Sequence, residues 1–132
     1  MKIENIKFKA KRLDNGEWCE GYFYEENANT YIIENRQKES MLNRNVTHQV
    51  DSKTVCQFTG MKDEKGNEIW EGDLVNERYD IASIDNLYEV VYIEEEGNFA
   101  FKDIDNADNY QPFVNLVDTF VVGNKFDKKN SV

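Results

Sequence analysis

The sequence predicts a mainly β protein, with an N-terminal β-hairpin region, a C-terminal SH3-like small β-barrel region and few short helices. Three observations carry this expectation. Short runs of β-branched and aromatic residues recur at least six times, several in period two. Turn-forming clusters separate them, at Asp14-Asn15-Gly16, Asp63-Glu64-Lys65-Gly66-Asn67 and Glu94-Glu95-Glu96-Gly97-Asn98. No long amphipathic run of helical period is present. The 132 residues are expected to form a single domain, 1–132, with subregions 1–58 and 59–126.

The elements follow in order. Ile3 to Arg12 reads as a strand, with Ile6, Phe8 and Ala10 on one side and Lys7, Lys9 and Lys11 on a solvated face. Asn15-Gly16 tolerates positive φ, and Glu17 to Tyr24 returns as the second arm of a hairpin. Glu25 to Asn29 is polar and reads as a turn; Thr30 to Glu34 is a third strand. Gln37 to Arg44 fits one helical turn or a polar loop. Val46 to Val50 reads as a short strand, Asp51-Ser52-Lys53 as a turn and Thr54 to Phe58 as another strand. Gly72-Asp73 suits a bend into the strand Leu74 to Glu77, since Gly reaches backbone conformations closed to other residues and Asp bonds nearby amides. The pattern Gly72-Asp73-Leu74-Val75 occurs in SH3-like barrels. Arg78 to Asn86 reads as a loop, and Tyr88 to Ile93 with Phe99 to Phe101 as a second hairpin. Asp103 to Gln111 is an acidic loop. Phe113 to Val122 fits a helical turn or a strand pair, Gly123-Asn124 closes it, and Lys128 to Val132 is a frayed tail. Strands such as those of Phe8 and Phe101 are expected at sheet edges, a route to homo-oligomers.

Composition narrows the function classes. Aromatics at 13% are too many for a disordered acidic tail, although the apolar fraction is only 39%. No apolar run approaches the ~20 residues of a membrane span, and the start lacks a signal-peptide core. Two cysteines and one histidine exclude a multi-Cys zinc site and a multi-His metal centre. The net charge of −10 is lopsided: residues 1–50 hold eight basic and eight acidic groups, whereas residues 51–132 hold eight and eighteen. From Asp63 to Asp118, sixteen acids face only Lys65, Arg78 and Lys102, a net −13. Such a surface repels phosphate backbones, so direct nucleic-acid binding is not expected.

Three stretches resemble one family. The opening Ile6-Lys7-Phe8-Lys9-Ala10 is similar to its initial strand, of the type I-K-F-R-A. Residues 54–75, from Thr54-Val55-Cys56-Gln57-Phe58-Thr59-Gly60-Met61-Lys62-Asp63 to Ile69-Trp70-Glu71-Gly72-Asp73-Leu74-Val75, follow a T-V-x-Q-[YF]-T-G-[LM]-K-D-x-x-G-x-x-I-[YW]-E-G-D-[IL]-V pattern. Val121-Val122-Gly123-Asn124 resembles a closing V-I-G-N. The family is the YopX family of phage and prophage proteins. The tail Lys125-Phe126-Asp127-Lys128-Lys129-Asn130 departs from the family's usual acidic or proline-bearing end. The resemblance implies a phage or prophage origin, a bacterial cytoplasmic setting, a β-rich fold and self-association. It implies no activity, so no catalytic residue is carried over. Within residues 54–75 the residue types suit structure: a hairpin turn, a Trp70 core anchor and the Gly72-Asp73 bend, with the Lys62 to Glu68 loop as a lesser interaction surface.

Signals for chemistry are sparse. His48 lacks a second ligand at metal spacing. Cys19 and Cys56 fall in apolar strands, where an inert buried thiol is the normal outcome. Asp103-Ile104-Asp105-Asn106-Ala107-Asp108 fails as an EF-hand, because Ala107, Asp108 and Val114 occupy the fifth, sixth and twelfth positions. No phosphate loop or nucleophile elbow is present. The chain is therefore expected to be no enzyme and to need no cofactor, with no catalytic or metal residues. The favoured reading is an acidic accessory protein that binds a host or phage protein, whose carboxylates imitate a phosphate backbone and inhibit a nucleic-acid-binding or defence protein. Its candidate interaction surface is Glu94, Glu95, Glu96, Asp103, Asp105 and Asp108. The alternative is a small-molecule or nucleotide binder, with a pocket at a homo-oligomer interface lined by Tyr22, Tyr24, Tyr88 and Tyr110; an anionic ligand would need Lys7, Lys9, Arg12 or Arg36 there.

Overall fold

The computed structural model describes residues 2–35, 45–77, 86–106, 108–112 and 119–127. It divides into two compact units, residues 1–58 and 59–132. Every strand pairing described is antiparallel, and the protein is mainly β. Among the described residues no helix is long and apolar enough to cross a membrane.

In the first unit the strands are β1 (Phe8–Lys11), β2 (Trp18–Glu26), β3 (Asn29–Asn35), β4 (Asn45–Val50) and the start of β5 (Cys56–Lys62), in the order β4-β3-β2-β1-β5. Alternation sorts their side chains. Ala10, Cys19, Ile32 and Val50 form the core, with Phe8 and Val55 packed against it. The β1–β2 hairpin turns at Asp14-Asn15-Gly16 as the sequence predicts, Gly16 standing at φ 71°. Three boundaries move. Ile3–Asn5 is a 3-10 turn, so the first strand starts only at Phe8. Glu25 and Glu26 belong to β2, and the chain reverses at Asn27-Ala28, both at positive φ (52° and 66°). Ser52–Thr54 is a second 3-10 turn, capped where Asp51 Oδ1 accepts the Lys53 amide at 3.0 Å, so β5 starts at Cys56.

The second unit holds the outer part of β5 paired with β6 (Glu68–Trp70). It also holds β7 (Asp73–Glu77), β8 (Asn86–Ile93), β9 (Asn98–Asp103), β10 (Tyr110–Pro112) and β11 (Thr119–Asn124). The last five form a sheet in the order β10-β9-β8-β7-β11, open among the described residues. Ile69, Val75, Tyr88, Val90 and Phe101 make its core, with Phe99 and Val121 against them. Trp70 is buried, as a core anchor should be. The end of the expected acidic loop is the short strand β10, paired with β9 from Tyr110↔Lys102 to Pro112↔Ala100. From Thr119 the chain is the strand β11 rather than a helical turn. The expectations for Gln37 to Arg44, for most of the Arg78 to Asn86 loop and for the tail from Lys128 lie outside the described residues.

The edge assignments are overturned. Phe8 pairs with Gly21 on one side and Gln57 on the other. Phe101 lies between Val90 and Gln111. Both strands are interior: β5 covers the β1 edge from far along the chain, and β10, a strand within what reads as an acidic loop, covers the β9 edge. Nor are the β1 lysines fully solvated. Lys9 and Lys11 lie half-buried with their ammonium groups 4.7 Å and 5.4 Å from the Trp18 ring centre, and Lys7 sits 4.8 Å from that of Phe58.

Candidate interaction surface

The six candidate carboxylates fall at the two ends of the β8–β9 hairpin. At the turn, the amides of Glu96 and Gly97 both donate to the Ile93 carbonyl, at 3.1 Å and 2.8 Å. This closes the chain tightly and throws Glu94, Glu95 and Glu96 outward, all exposed. No ion pair among the described residues engages them.

At the other end Asp103 behaves differently. Its Oδ1 accepts the Asp105 amide at 2.9 Å and its Oδ2 accepts Nδ2 of Asn109 at 3.2 Å. Asp103 is half-buried and shapes the loop between β9 and β10; Asp105 and Asp108 project from that loop, exposed. The Asp108 amide donates to Asn106 Oδ1 at 3.2 Å, which completes the fold of the loop. Five carboxylates are thus outward and one is inward. Strand β9 spans five residue steps between Asn98 and Asp103. The two groups therefore stand about 17 Å apart, at ~3.4 Å per residue. They are two acidic points, not one patch. Among the described residues no group of three or more His, Cys, Asp or Glu could hold a metal ion.

The two aspartates of the long motif serve the fold. Asp63, 6% exposed, accepts the amides of Lys65, Asn67 and Val121 at 2.9, 2.8 and 3.0 Å. Burial alone would raise its pKa; the amides of Val121, Asn67 and Lys65, with the Asn67 side chain, outweigh that and hold it below the usual carboxylate value. Asp73, 2% exposed, accepts the Trp70 amide at 2.7 Å and Asn124 Nδ2 at 3.0 Å. Gly72 stands at φ 86°, which explains why glycine occupies the bend. Its amide donates to Val90 O at 2.8 Å and its carbonyl accepts from Lys125 at 2.9 Å. Sequence reading missed Asn124 as a partner of this bend, although the Gly123-Asn124 pair was visible.

A family comparison decides the chain's kinship: the family described as YopX protein matches residues 7–130. The chain belongs to the YopX family. No curated protein matches it. The matched span of this YopX member takes in the motif and its buried carboxylates as well as both acidic ends of the hairpin.

The remaining candidates scatter in this YopX member. Cys19 and Cys56 are buried thiols, their sulfurs 3.5 Å from Ala10 O and 3.3 Å from Thr54 O. Burial pushes the Cys19 thiol up to about 11, so it carries little thiolate at neutral pH. His48 is buried with Nε2 3.0 Å from Glu34 Oε2. Of the aromatics proposed to line a pocket, Tyr88 is only 2% exposed and sits in the core of the second unit, so it cannot face a ligand. Tyr22, Tyr24 and Tyr110 are exposed, Tyr24 being stacked on Tyr31 at 5.0 Å. Arg36 lies outside the described residues.

Proposed function

We propose that this YopX family member is a non-enzymatic, acidic protein-binding module of phage or prophage origin, acting in the bacterial cytoplasm. In this reading its outward carboxylates engage a basic surface on a host or phage protein, such as the nucleic-acid groove of a defence protein. The observation that carries it is the exposure of Glu94, Glu95, Glu96, Asp105 and Asp108 at the ends of one rigid hairpin. A hairpin on a packed sheet holds charges at a set spacing, which favours selective association over mere solubility. The same reading makes the second unit an SH3-like platform. Its order β10-β9-β8-β7-β11, a meander whose final strand returns beside the first, supports that. Self-association belongs to the reading as well; nucleic acid, membrane and cofactor do not.

A tagged capture from host lysate at low and high salt, read by mass spectrometry, tests the proposal. A stoichiometric basic protein retained at low salt and lost at high salt is the expected result. A preparation with no partner at either salt would end it.

A further inference from the structure

The outer strand of a sheet offers unpaired amides and carbonyls to any further strand unless something blunts it. Three of the four edge strands described here are blunted. Strand β6 has three residues and opens with Glu68. Strand β10 has three and ends in Pro112. Strand β11 is covered by the β5–β6 turn, where the Glu64 amide donates to Thr119 O at 3.3 Å and Asp63 accepts the Val121 amide. Strand β4 differs. It runs for six residues, Asn45–Val50, without proline, glycine, lysine, arginine or a carboxylate. Its histidine, His48, turns inward to Glu34.

The outer side of β4 can be read residue by residue. The Leu13 amide donates to Gln49 O at 3.0 Å and the Asp51 amide to Lys11 O at 2.9 Å, a single bridge that closes only the Val50 end. Backbone groups alternate in direction along an antiparallel strand. Because Gln49 O faces Leu13, Thr47 and Asn45 also point their amides and carbonyls away from β3. Among the described residues no strand meets those four groups. A cleft of about 490 Å³ adjoins them, with Leu13, Asp14, Val46, Thr47 and Gln49 in its lining.

We propose that β4 is the chain's dimer edge, pairing antiparallel with β4 of a second copy about a two-fold axis at Val46. A two-fold interface must be self-complementary, and this one is. Asn45 exchanges two N–H···O bonds with Thr47 of the second copy, and Thr47 exchanges two with Asn45 of the second copy, which satisfies all four outward groups. Val46, half-buried in one chain, then faces its own counterpart. Leu13 fixes the register. An axis at Thr47 would set Asn45 of the second copy opposite Gln49, the place that Leu13 already holds. Charge selects the same occupant. Residues 1–58 carry nine basic and nine acidic groups, whereas residues 59–132 carry seven and seventeen. The first unit therefore meets its own copy without net repulsion, while a basic partner is drawn to the second. The inference rests on the self-association in the proposed function and names the surface that carries it.

Three measurements on the full-length chain test it. Sedimentation over a concentration series is expected to show association in multiples of two, and amide exchange at Asn45 and Thr47 is expected to slow at least about tenfold in the associated form. Thr47→Pro removes one outward amide from each copy, a change that an edge strand tolerates. It is expected to weaken association about thirtyfold, with amide dispersion retained. Val46→Cys, on the axis, is expected to crosslink under mild oxidation at least about tenfold faster than Thr47→Cys, whose two copies lie diagonal and beyond disulfide reach. Fast exchange at every concentration, protection that ignores concentration, or faster crosslinking at Thr47 overturns the assignment. Association that survives Thr47→Pro undiminished overturns β4 as the interface and leaves self-association standing; a monomer at every concentration overturns both. Capture of a basic protein by the hairpin carboxylates should persist in Thr47→Pro, so the protein-binding reading is judged separately.

Discussion

The amide of Val121 donates a 3.0 Å hydrogen bond to Asp63 Oδ2 across 58 positions of sequence. The same carboxylate organises its own turn through Lys65 and Asn67, whose side-chain amide also reaches it at 3.1 Å. One residue thus ties the β5–β6 turn to strand β11. Asp73 repeats the device one turn later, holding the Trp70 amide and the Asn124 side chain. The aspartates of the motif are internal staples, which leaves interaction to carboxylates elsewhere.

Asp63→Ala removes four acceptor contacts and strands buried backbone amides. A loss of about 3 kcal/mol in unfolding free energy is expected, read by urea denaturation. Asp63→Asn retains the shape but not the charge, and replaces one acceptor oxygen by a donor. It is expected to cost about half as much.

Asp63 also makes stability pH-dependent. Its pKa is lowered in the fold from an unfolded value of about 3.9. The folded state therefore holds the carboxylate more readily than the unfolded state does. The stabilisation is fully present above the unfolded value and is lost as pH falls through the folded one. Thermal unfolding of the parent chain should drop below about pH 4 more steeply than that of Asp63→Asn. Parallel profiles for the two proteins would show that Asp63 carries no such linkage.

Gly21→Ala places a Cβ 1.9 Å from the carbonyl oxygen of Ile33. The clash is with backbone, so no side-chain rotation relieves it. Strands β2 and β3 must separate locally, at about 2 kcal/mol or more. The expected readout is a lower urea midpoint together with faster amide exchange at Tyr22 and Ile33, whereas an unchanged midpoint would contradict the close approach.

Ala28 reverses the chain at φ 66°, a region that suits glycine. Ala28→Gly relieves that strain but frees the unfolded chain. The balance is expected to stabilise by about 0.5 kcal/mol. Ala28→Val, with a β-branched side chain at positive φ, should destabilise in the same assay.

This turn also shows what sequence reading can reach. Asn15-Gly16 announces its hairpin because both residues tolerate positive φ. Asn27-Ala28 makes an equally tight reversal, yet alanine is no signal for it, and Glu25-Glu26 read as loop although they pair with Thr30 and Asn29. Strand β10 was hidden for a related reason: Tyr110-Gln111-Pro112 is short and contains proline, which only an edge position permits. Trp70 and the Gly72-Asp73 bend were legible from residue type. The inward turn of Asp103 was not, because it depends on Asn109 six positions on. Strand order was the least legible feature, since β1 meets β5 only after the intervening strands have folded back.

The two acidic ends of the β8–β9 hairpin can be tested against each other. Their separation of about 17 Å exceeds the Debye length of ~8 Å at physiological salt. The groups should therefore contribute independently to a partner that spans both. Glu94→Gln, Glu95→Gln and Glu96→Gln together, and Asp105→Asn with Asp108→Asn, are each expected to weaken capture of a basic partner at low salt by about tenfold. All five substitutions should multiply the two effects. Because these side chains are exposed, stability should move by no more than about 0.5 kcal/mol. Asp103→Asn serves as the contrast. Its carboxylate accepts from Asp105 and Asn109 within the loop, so the substitution should lower stability before it alters salt-sensitive capture. If capture persists undiminished after all five outward charges are neutralised, the partner is recognised by another surface and the hairpin carboxylates serve only to keep the protein hydrated.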